Sequence, residues 1–559
     1  MKELVGKVKL NYTFYSGSDL YSDGDAIEEE MLHIAKSGTW EEELMSSNKW
    51  PILYHFSDIR GNIIDWYPME KEAEVLEIGS GCGAISGFLC KKAKKVVGIE
   101  LSKRRSLINA YRNSNCNNLE IVVGNFKDIV LEEKFDYVTL IGVLEYASLY
   151  MNSDNPYEDM LTRIKQYLKP GGKIIIAIEN KMGLKYLNGA KEDHVGKRFV
   201  GMEDYRYITS VRTFSKPELE AMLENCGIDK YSFYYPVPDY KLPDTVYSDA
   251  YMPKTGDVRF WGTNYDSIRL SLYNDGIMSD QVCADHMFAY FSNSFFVVAD
   301  ETENKVKYAH YTRQRRKEFQ TSTIIYEEEG KKSVKKEYLF KQERSADILA
   351  NMEKYYSVLQ EQFVNITYLP AKSRDYCSIE YPFLTGKTIE ELLCKDIHHS
   401  EKLLEAFEKT FDYIFCVKED KVIPFKITDQ YKEIFGDCAL KEGVPAVAIS
   451  NMDMNLGNLM LCDGNIYCFD YEWVFDFPIP VDLMKLRSFN VFHSKYNMYY
   501  SAKLKKEEIL QRIGIRKEDF AVLTKMDLKY QEFVYGRGNK NQYLHHYKKP
   551  CGVLECRGL

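Results

Sequence analysis

The 559-residue sequence lacks any apolar run that approaches the roughly 20 residues needed to span a bilayer. Its first residues contain no apolar segment of the kind that a signal peptide requires. The thirteen cysteines are scattered without a Cys-x-x-Cys pair, which argues against both a disulfide framework and a zinc site. We therefore expect a cytoplasmic protein with reduced thiols, either free or peripheral to the inner face of the cell membrane.

A basic surface is also absent, because the net charge is -9 and the pI is near 5.8. This balance argues against a general nucleic-acid binder. The 45% hydrophobic content is ample for a buried core, and the length favours two to four domains. The 43 tyrosines include a dense patch at 231–240. Such a patch fits amphipathic packing, or a site that stacks on sugars or on an adenine ring.

Short apolar strands alternate with helical stretches between residues 73 and 240, which is typical of a parallel sheet in a doubly wound α/β domain. A helix at 216–226 and a strand near 231–236 complete this domain. The predicted strands are 75–78, 96–100, 119–123, 137–141 and 173–178, and the predicted helices are 84–93, 103–113 and 159–168.

The rest of the chain is divided where the pattern of predicted strands and helices changes. Residues 1–72 are interpreted as an N-terminal cap and 241–305 as a connecting region. From 306 to 500, strands come first and helices follow, which is the order of a two-lobed α+β domain. Residues 501–559 are expected to form a helical tail.

Three glycines, Gly79, Gly81 and Gly83, directly follow the first strand of the α/β domain. Glycine allows a tight turn and lets the backbone approach a ligand closely. The next helix N-terminus favours an anionic group, and Glu100, which ends the second strand, is placed to bind ribose hydroxyls. The pattern alone also fits a dinucleotide-binding domain.

Further residues favour a different ligand. The acidic Glu77 precedes the glycines, Asn125 and Phe126 follow the third strand, and a Pro-Gly-Gly turn at 170–172 precedes a late strand. In these features, the domain resembles the class I S-adenosylmethionine (SAM)-dependent methyltransferases. The resemblance implies that Glu77 lies near the methionine amino group. It also implies that Asn125, where Asp is usual, binds the adenine amine, and that Phe126 stacks on the ring.

Ionisable residues are concentrated after the last parallel strand, where open α/β sheets bind ligands. His194, with Asp193 or Glu192, is a candidate base for the acceptor, although a solvated loop with a helix cap is the alternative. Glu145, at the end of the fourth strand, either faces the methyl donor or caps a helix. In the N-terminal region, Tyr15 with Tyr21 and Asp19 could close over the cofactor, or pack in the core.

A second group of polar residues lies in the C-terminal half. Asp453 is followed by Asn458, and Asp470 comes after a short apolar segment and a turn. Phosphoryl transfer needs a carboxylate beside the acceptor hydroxyl and oxygen ligands for magnesium. The spacing resembles that of the aminoglycoside-phosphotransferase branch of the kinase-like fold. This resemblance implies that Asp453 is catalytic, that Asn458 and Asp470 bind Mg²⁺, and that ATP is the donor.

The same resemblance assigns upstream residues to the nucleotide. Lys335 or Lys336 would face the phosphates, Glu353 would be the ion-pair partner of that lysine, and Glu380 lies in the segment that would contact adenine. The pattern departs from the family at Asn451, where histidine is usual, and no glycine-rich loop is visible. Basic residues at 313–317 occupy its place, either to hold phosphates or as solvated charge.

The predicted fold class is thus α/β, a Rossmann-like class I methyltransferase domain followed by a two-lobed α+β kinase-like domain. This pairing resembles the bacterial chain-terminating methyltransferase–kinases of O-antigen synthesis, although the long C-terminal coiled coil of that family is missing. The resemblance implies a glycan or sugar-phosphate acceptor, glycosyltransferase partners, and SAM and Mg-ATP as donors. Two alternatives stay open: a methyltransferase with a catalytically silent kinase-like module, and a small-molecule tailoring enzyme.

Overall fold

The computed structural model describes residues 2–19, 22–206, 208, 211–258, 265–301, 303–340, 342–536 and 544–553. The chain forms two compact units. The first comprises Met1–Tyr311 together with Tyr543–Leu559, and the second comprises Thr312–Gln542.

The strands of both units are numbered along the chain. They are β1 (Lys2–Val5), β2 (Val8–Phe14), β3 (Glu74–Ile78), β4 (Lys95–Glu100), β5 (Leu119–Gly124), β6 (Phe135–Ile141), β7 (Leu168–Glu179), β8 (Tyr231–Val237), β9 (Thr245–Ser248), β10 (Arg269–Ser271), β11 (Ser294–Ala299), β12 (Val306–Tyr311), β13 (Thr321–Glu328), β14 (Lys331–Tyr338), β15 (Ile366–Tyr368), β16 (Lys372–Asp375), β17 (Ser378–Pro382), β18 (Lys387–Thr388), β19 (Ile423–Pro424), β20 (Pro445–Val447), β21 (Ser450–Asn451), β22 (Leu459–Cys462), β23 (Asn465–Cys468), β24 (Val474–Phe475), β25 (Ile479–Pro480) and β26 (Cys551–Val553).

The helices are numbered in the same way. They are α1 (Asp25–Ser37), α2 (Trp40–Ser46), α3 (Trp50–Phe56), α4 (Ser86–Lys92), α5 (Lys103–Arg112), α6 (Ala147–Tyr150), α7 (Pro156–Lys165), α8 (Leu184–Leu187), α9 (Lys216–Asn225), α10 (Asp275–Ala284), α11 (Phe288–Phe291), α12 (Glu343–Gln362), α13 (Ile389–Cys394), α14 (Ser400–Ile414), α15 (Asp429–Phe435), α16 (Val481–Tyr500), α17 (Lys506–Arg512), α18 (Phe520–Tyr535) and α19 (Leu544–Tyr547). None of the helices in the described residues is both long and apolar enough to cross a membrane.

A parallel sheet in the order β2-β5-β4-β3-β6-β7 forms the centre of the first unit. The predicted Rossmann-like α/β arrangement is confirmed in this part of the chain. From β3 the chain runs to β4 and β5 on one side, and then to β6 and β7 on the other. This reversal opens a crevice at the carboxyl ends of β3 and β6, which is where such sheets bind ligands.

Regions predicted to flank the α/β domain are part of its sheet. The expected cap contributes β1 and β2, with β2 pairing to β5. The expected connecting region contributes β11, which lies antiparallel between β7 and β8, and β9, which pairs with β8. These strands cover an edge of the parallel sheet whose backbone groups would otherwise be unpaired. The described residues between 241 and 305 therefore include strands and helices of the first unit, namely β9, β10, β11, α10 and α11.

The predicted limits of the second domain also differ from the structure. Residues 306–311 form β12, which pairs with β9 and belongs to the first unit. The expected helical tail is divided: α17 and α18 belong to the second unit, whereas β26 pairs in parallel with β10 of the first unit. Non-local strand pairing, which composition does not reveal, accounts for both differences.

The tyrosine-rich patch is explained mainly by packing. Tyr234 and Tyr235 are fully buried on β8, and the hydroxyl of Tyr234 donates to Glu301 Oε1 at 2.8 Å. Tyr240, at the end of the patch, lines the cavity described below. Tyr234 and Tyr235 thus pack in the core, whereas Tyr240 is placed where it could contact a ligand.

The second unit is a mixed α/β structure with strands before helices along the chain. One antiparallel sheet has the order β13-β14-β17-β16, and another sheet has the order β15-β23-β22-β18. Leu349, Met352 and Leu359 of α12 enter the same hydrophobic core as side chains of α14, α16 and α18.

Candidate functional site

A cavity of about 320 Å³ lies at the carboxyl ends of the parallel strands in the first unit. It is the crevice expected where the strand order reverses. Nine of the residues selected from the sequence line it, namely Glu77, Gly79, Gly81, Glu100, Asn125, Phe126, Glu145, Asp193 and His194.

The glycine turn after β3 has three left-handed residues with distinct surroundings. A Cβ on Gly79 (φ +70°) would lie 2.5 Å from Val143 Cγ2, so no larger residue fits there. Gly81 (φ +54°) borders the cavity, with the nearest foreign atom, Arg105 Nη2, 3.3 Å from a Cβ. A Cβ on Gly83 would meet Asn109 Oδ1 at 2.3 Å. Gly83 therefore permits close packing on α5, while Gly79 and Gly81 shape the cavity wall.

Glu100 ends β4 and is held by two backbone amides. The N–H of Gly81 donates to its Oε2 at 2.8 Å, and the N–H of Ser102 donates to its Oε1 at 2.9 Å. The carboxylate is 6% exposed and borders the cavity. These bonds orient a charged acceptor toward the space between β3 and β4, and each oxygen retains a lone pair for a ligand hydroxyl.

Glu77 is buried at the end of β3 and accepts a 2.6 Å hydrogen bond from the hydroxyl of Ser86. Burial raises the pKa of Glu77 to about 8, and the nearby charge of Glu100 adds to the rise. A cationic ligand group beside this carboxyl would reverse that shift.

Asn125 and Phe126 follow β5, as predicted, and both line the cavity. The Oδ1 atom of Asn125 accepts from the backbone N–H of Lys127 at 3.1 Å and thereby caps a short helical turn. Phe126 is buried, with the guanidinium of Arg163 5.3 Å from its ring centre. The side chain of Asn125 is thus oriented by the turn that it caps.

Glu145, Glu179 and His194 meet beside this cavity. Glu145 lies in a turn just after β6, and Glu179 is the last residue of the adjacent β7. The Nε2 atom of His194 is 3.5 Å from Oε1 of Glu145 and 4.0 Å from Oε2 of Glu179. Burial raises the pKa of Glu145. Although burial favours neutral His194, the carboxylates of Glu179, Glu145 and Glu192 hold its pKa well above the ordinary value.

The sequence offered Asp193 or Glu192 as the partner of His194, and in the structure the partner is Glu192. Glu192 Oε1 lies 3.0 Å from His194 Nδ1. Asp193 instead contacts Lys185 and Lys241, each at 2.9 Å, and accepts from the hydroxyl of Tyr186. Successive residues in this loop point to different sides, so adjacency in sequence did not identify the partner.

A second charged group in the cavity wall carries no motif that would predict it from the sequence. Asp23 Oδ2 lies 2.9 Å from His55 Nε2 and 2.8 Å from Arg105 Nη1. Burial lowers the pKa of His55 to about 4. These three residues come from separate helices and a loop, and they carry no motif. Aromatic side chains from distant segments also line the cavity, namely Trp50, Tyr54, Tyr146, Tyr150 and Tyr240.

Tyr15 does not line the cavity, contrary to the sequence prediction. Its hydroxyl donates to Asp19 Oδ1 at 3.2 Å. Asp19 accepts in turn from the backbone N–H groups of Lys103 and Arg104, at 2.7 and 3.3 Å, and thereby caps α5. Tyr21 lies outside the described residues. The Tyr15–Asp19 pair thus supports the helix next to the site.

In the second unit, Lys336 is the buried member of the predicted lysine pair. Its Nζ contacts the Asp470 carboxylate and lies 2.8 Å from Glu472 Oε1. Lys335, on the opposite face of β14, lies 2.7 Å from Glu337 Oε2. The prediction that Glu353 pairs with either lysine is wrong. Glu353 is exposed on α12, whereas the carboxylates that contact Lys336 belong to Asp470 and Glu472.

The basic segment at 313–317 contributes a buried charge. Nη1 of Arg315 lies 2.6 Å from Glu472 Oε1, so Glu472 is shared between Arg315 and Lys336. Although burial opposes it, these two cations lower the pKa of Glu472 to about 2. Arg315 is therefore ion-paired with Glu472 and is not a solvated charge.

Asp453, Asn458 and Asp470 lie close together in the structure. The amide of Asn458 donates to the backbone carbonyls of Asp453 at 3.0 Å and Asp470 at 3.5 Å. Burial raises the pKa of Asp453 to about 6, partly opposed by Arg487, whose Nη2 is 3.7 Å from Oδ1. Asn451 holds the backbone N–H of Asp453 at 2.9 Å.

Glu380 lies on β17 opposite Lys335, and its carboxylate pairs with Arg374. The segment around Glu380 is expected to contact adenine through its backbone. The ion pair between the Glu380 and Arg374 side chains does not bear on that expectation. Asp470 has a left-handed backbone (φ +55°), a conformation that is costly for a non-glycine residue and often marks functional sites.

Comparison with known proteins supports the assignment of the first unit. Residues 76–174 match the family model described as a methyltransferase domain. The chain therefore contains a class I SAM-dependent methyltransferase domain in its N-terminal third, and the sequence prediction is confirmed at this level.

Among curated proteins, the mitochondrial ubiquinone biosynthesis O-methyltransferase of Dictyostelium discoideum is 29% identical over 127 residues, covering 20% of this chain and 37% of that protein. The demethylspheroidene O-methyltransferase of Rhodobacter capsulatus is 29% identical over 158 residues, covering 28% of this chain and 37% of that protein. The chain thus spans about a third of the length of these two relatives.

Among solved structures, a phosphoethanolamine N-methyltransferase from Haemonchus contortus is similar with 14% identity and a TM-score of 0.28. The match covers 50% of this chain and 51% of that one.

Proposed function

We propose that the first unit transfers a methyl group from SAM to an acceptor that enters the cavity from the side of Glu145 and His194. The observation that carries this proposal is the placement of Glu77, Gly81 and Glu100 around one cavity at the strand reversal. The amino group of the donor would approach Glu77, and the ribose hydroxyls would approach Glu100. Asn125 and Phe126 would hold the adenine.

In this reaction, the acceptor lone pair forms a bond to the methyl carbon while the carbon–sulfur bond breaks. Its electron pair returns to sulfur, and S-adenosylhomocysteine is released. The acceptor proton leaves to a carboxylate or to solvent. Catalysis depends mainly on in-line alignment, which a rigid cavity wall at the sheet edge supplies. Glu145 lies on the wall where an acceptor atom could meet the methyl group.

The acceptor that we favour is the end of a bacterial cell-surface glycan or a sugar-phosphate precursor. This choice rests on the resemblance of the two-domain pairing, and the aromatic wall of Trp50, Tyr54 and Tyr240 is compatible with sugar stacking. A small-molecule tailoring reaction uses the same donor site and is the alternative. Mass spectrometry of products from cell-envelope glycans and from a panel of small hydroxylated acceptors distinguishes the two.

Donor binding is tested by calorimetry with SAM on the wild type and two glycine variants. Gly81→Ala strains a left-handed residue in the cavity wall, so we expect affinity to fall at least tenfold. Gly171→Ala is the matched control, since Gly171 is also left-handed (φ +77°) but has no atom within 4 Å of a Cβ and does not line the cavity. Equal affinity in both variants would remove the proposed donor site.

A second activity, phosphoryl transfer from Mg-ATP, is proposed for the second unit. The observation that favours it is the buried contact of Lys336 with Asp470, next to Asp453 and Asn458. Lys336 would bind phosphate oxygens, Asp470 and Asn458 would bind Mg²⁺, and Asp453 would accept the proton of the acceptor hydroxyl.

Calorimetry with ATP and Mg²⁺ separates this activity from a silent module. Magnesium-dependent ATP binding that is lost in Asp470→Ala supports the active form. ATP binding without any transfer to glycans, sugars or small alcohols would instead favour a binding module. Absence of ATP binding in the wild type would contradict the proposal.

A further inference from the structure

Two glutamates and a histidine form a compact group of potential ligands beside the methyltransferase cavity. One ligand atom from each of Glu145, Glu179 and His194 lies within 4.8 Å of the other two. Within the described part of the chain, no other three His, Cys, Asp or Glu side chains converge in this way. The topology explains the convergence, because Glu145 follows β6 and Glu179 ends the neighbouring parallel strand β7.

The two carboxylates are buried with fewer partners than burial normally requires. Glu145 is 1% exposed and Glu179 is 0% exposed. Within the described residues, no hydrogen-bond donor meets the geometric requirements at the oxygens of Glu145, and His194 Nε2 is 3.5 Å away. Glu179 Oε1 lies 2.7 Å from Lys241 Nζ, while Oε2 faces the histidine at 4.0 Å. Buried carboxylate oxygens in this state are costly unless a further cation binds them.

The histidine is oriented as a ligand would be. Its Nδ1 lies 3.0 Å from Glu192 Oε1, and the backbone N–H groups of His194 and Val195 donate to Glu192 Oε2 at 2.9 and 2.6 Å. Glu192 is thereby fixed, and it leaves Nε2 directed at the two glutamates. A carboxylate on the distal nitrogen is the usual support of a metal-bound imidazole, since it selects the tautomer with a free Nε2 lone pair.

From this arrangement we propose that Glu145, Glu179 and His194 bind a divalent transition-metal ion, Zn²⁺ or Mn²⁺, at the acceptor side of the cavity. One imidazole and two carboxylates match the preferences of these ions better than those of Ca²⁺ or Mg²⁺, which favour oxygen ligands alone. Metal–ligand bonds of about 2.1 Å in a tetrahedral site separate ligand atoms by about 3.4 Å. The separations from the histidine nitrogen to the two glutamates are 3.5 and 4.0 Å, and all three ligand atoms lie within 4.8 Å of one another, so a bound ion would draw the side chains inward.

The charge balance of the surroundings also favours a cation. Acidic side chains outnumber the lysines in this cluster, and three of the acids, Glu145, Glu179 and Glu192, are buried. The other two acids are Asp193 and Asp239, and the lysines are Lys185 and Lys241, which pair with Asp193, Asp239 and Glu179. A divalent ion compensates the excess without requiring a proton on His194. The competing interpretation is a closed ion cluster in which a protonated His194 bridges the two glutamates.

The position of the site indicates a role, which rests on the proposed methyl transfer. Glu145 and His194 line the cavity, so an ion bound to them would keep an open coordination position toward the acceptor. An acceptor hydroxyl in that position would lose its proton more readily, as metal-bound oxygens do. The site therefore favours an oxygen acceptor. Metal binding itself does not depend on the identity of the acceptor or on methyl transfer.

The test is calorimetric titration of the chelator-treated full chain with ZnCl₂ and with MnCl₂, accompanied by metal analysis of the purified protein. We expect one ion per chain, with binding weakened at least 100-fold in Glu145→Gln and in His194→Gln. Glu192→Gln keeps all three ligands and should weaken binding about 10- to 100-fold. Replacement by Co²⁺ should give the visible absorption of a low-coordinate nitrogen and oxygen site in the wild type.

His55→Gln is the matched control, because His55 is also a buried cavity histidine that contacts a carboxylate, Asp23, at 2.9 Å. It should retain the affinity of the wild type. Absence of stoichiometric binding by both ions, or equal binding in wild type and Glu145→Gln, would overturn the metal site. SAM affinity is measured separately on the chelated protein. If the protein binds SAM but no metal, only the metal site is contradicted. If it does not bind SAM, the proposed methyl transfer is contradicted.

Discussion

The backbone N–H of Gly81 donates a 2.8 Å hydrogen bond to Glu100 Oε2, and thereby joins the loop after β3 to the end of β4. The glycine and the acid of the predicted donor site are thus in direct contact. The bond links the two loops that border the crevice where ribose would bind, and it orients the carboxylate toward that space.

Glu100→Gln should weaken SAM binding about 10- to 100-fold, because charge-assisted hydrogen bonds contribute about 1.5–3 kcal/mol each. The side-chain amide of the variant would also place its NH₂ group, a donor, against the backbone N–H of either Gly81 or Ser102. Calorimetry measures the affinity, and Glu120→Gln on β5 serves as the control, since Glu120 does not line the cavity. Unchanged affinity in Glu100→Gln would contradict the assignment of Glu100 to the ribose.

SAM binding should release a proton near pH 7. The pKa of Glu77 is raised to about 8 by burial, so the free protein carries the proton below that pH. A cationic amino group beside Glu77 favours the carboxylate, and the affinity should therefore rise as pH increases from about 6 to 8. Calorimetry in two buffers of different ionisation enthalpy counts the protons. Glu77→Gln should bind more weakly and without proton release, and a similar pH dependence in that variant would exclude Glu77 as its source.

Lys336→Met should destabilise the second unit by about 3 kcal/mol, because it leaves the buried carboxylate of Glu472 and the half-buried carboxylate of Asp470 with less compensation. Lys335→Met, one residue earlier on β14, should change stability by no more than about 0.5 kcal/mol. Urea denaturation measures both effects, and ATP binding is measured under folding conditions. We expect ATP binding to be lost only in Lys336→Met. Loss in Lys335→Met instead would assign the phosphates to the other face of the strand.

If Asp453 accepts the proton of the acceptor hydroxyl, phosphoryl transfer should rise with pH through about 6 and then level off. Burial raises the pKa of Asp453 to that value, and only the ionised form can accept a proton. Steady-state rates between pH 5 and 8 test this. Asp453→Asn should lose about 100-fold or more and should show no inflection near pH 6. An unaltered profile in that variant would rule out Asp453 as the base.

Several site residues were predictable because their chemistry depends on local chain geometry. Gly79 and Gly81 follow a strand, Glu100 ends the next one, and Asn125 follows the third. A parallel sheet places all of these positions at one edge. In the second unit, the spacing of Asp453 and Asn458 across one turn is similarly local. These assignments required only strand periodicity and the identities of the residues.

Other site residues could not be predicted, because they come from segments that only the folded sheet brings together. Asp23, His55 and Arg105 meet although they lie up to 82 residues apart. Lys241 reaches Glu179 from a region that the sequence suggested was a connection. The choice between Lys335 and Lys336 was undecidable for a related reason. Adjacent strand residues face opposite sides, and periodicity alone does not reveal which side is buried.

The amino-acid sequence alone was enough to assign the α/β class of the first unit, the glycine-rich loop after β3 and the local order of polar residues in both units, since these follow from short-range patterns. The folded structure was needed to show that His194 pairs with Glu192 and faces Glu145 and Glu179, because loop direction and strand order set those distances. A charge cluster depends on proximity in space, and proximity between distant segments is a property of the whole fold.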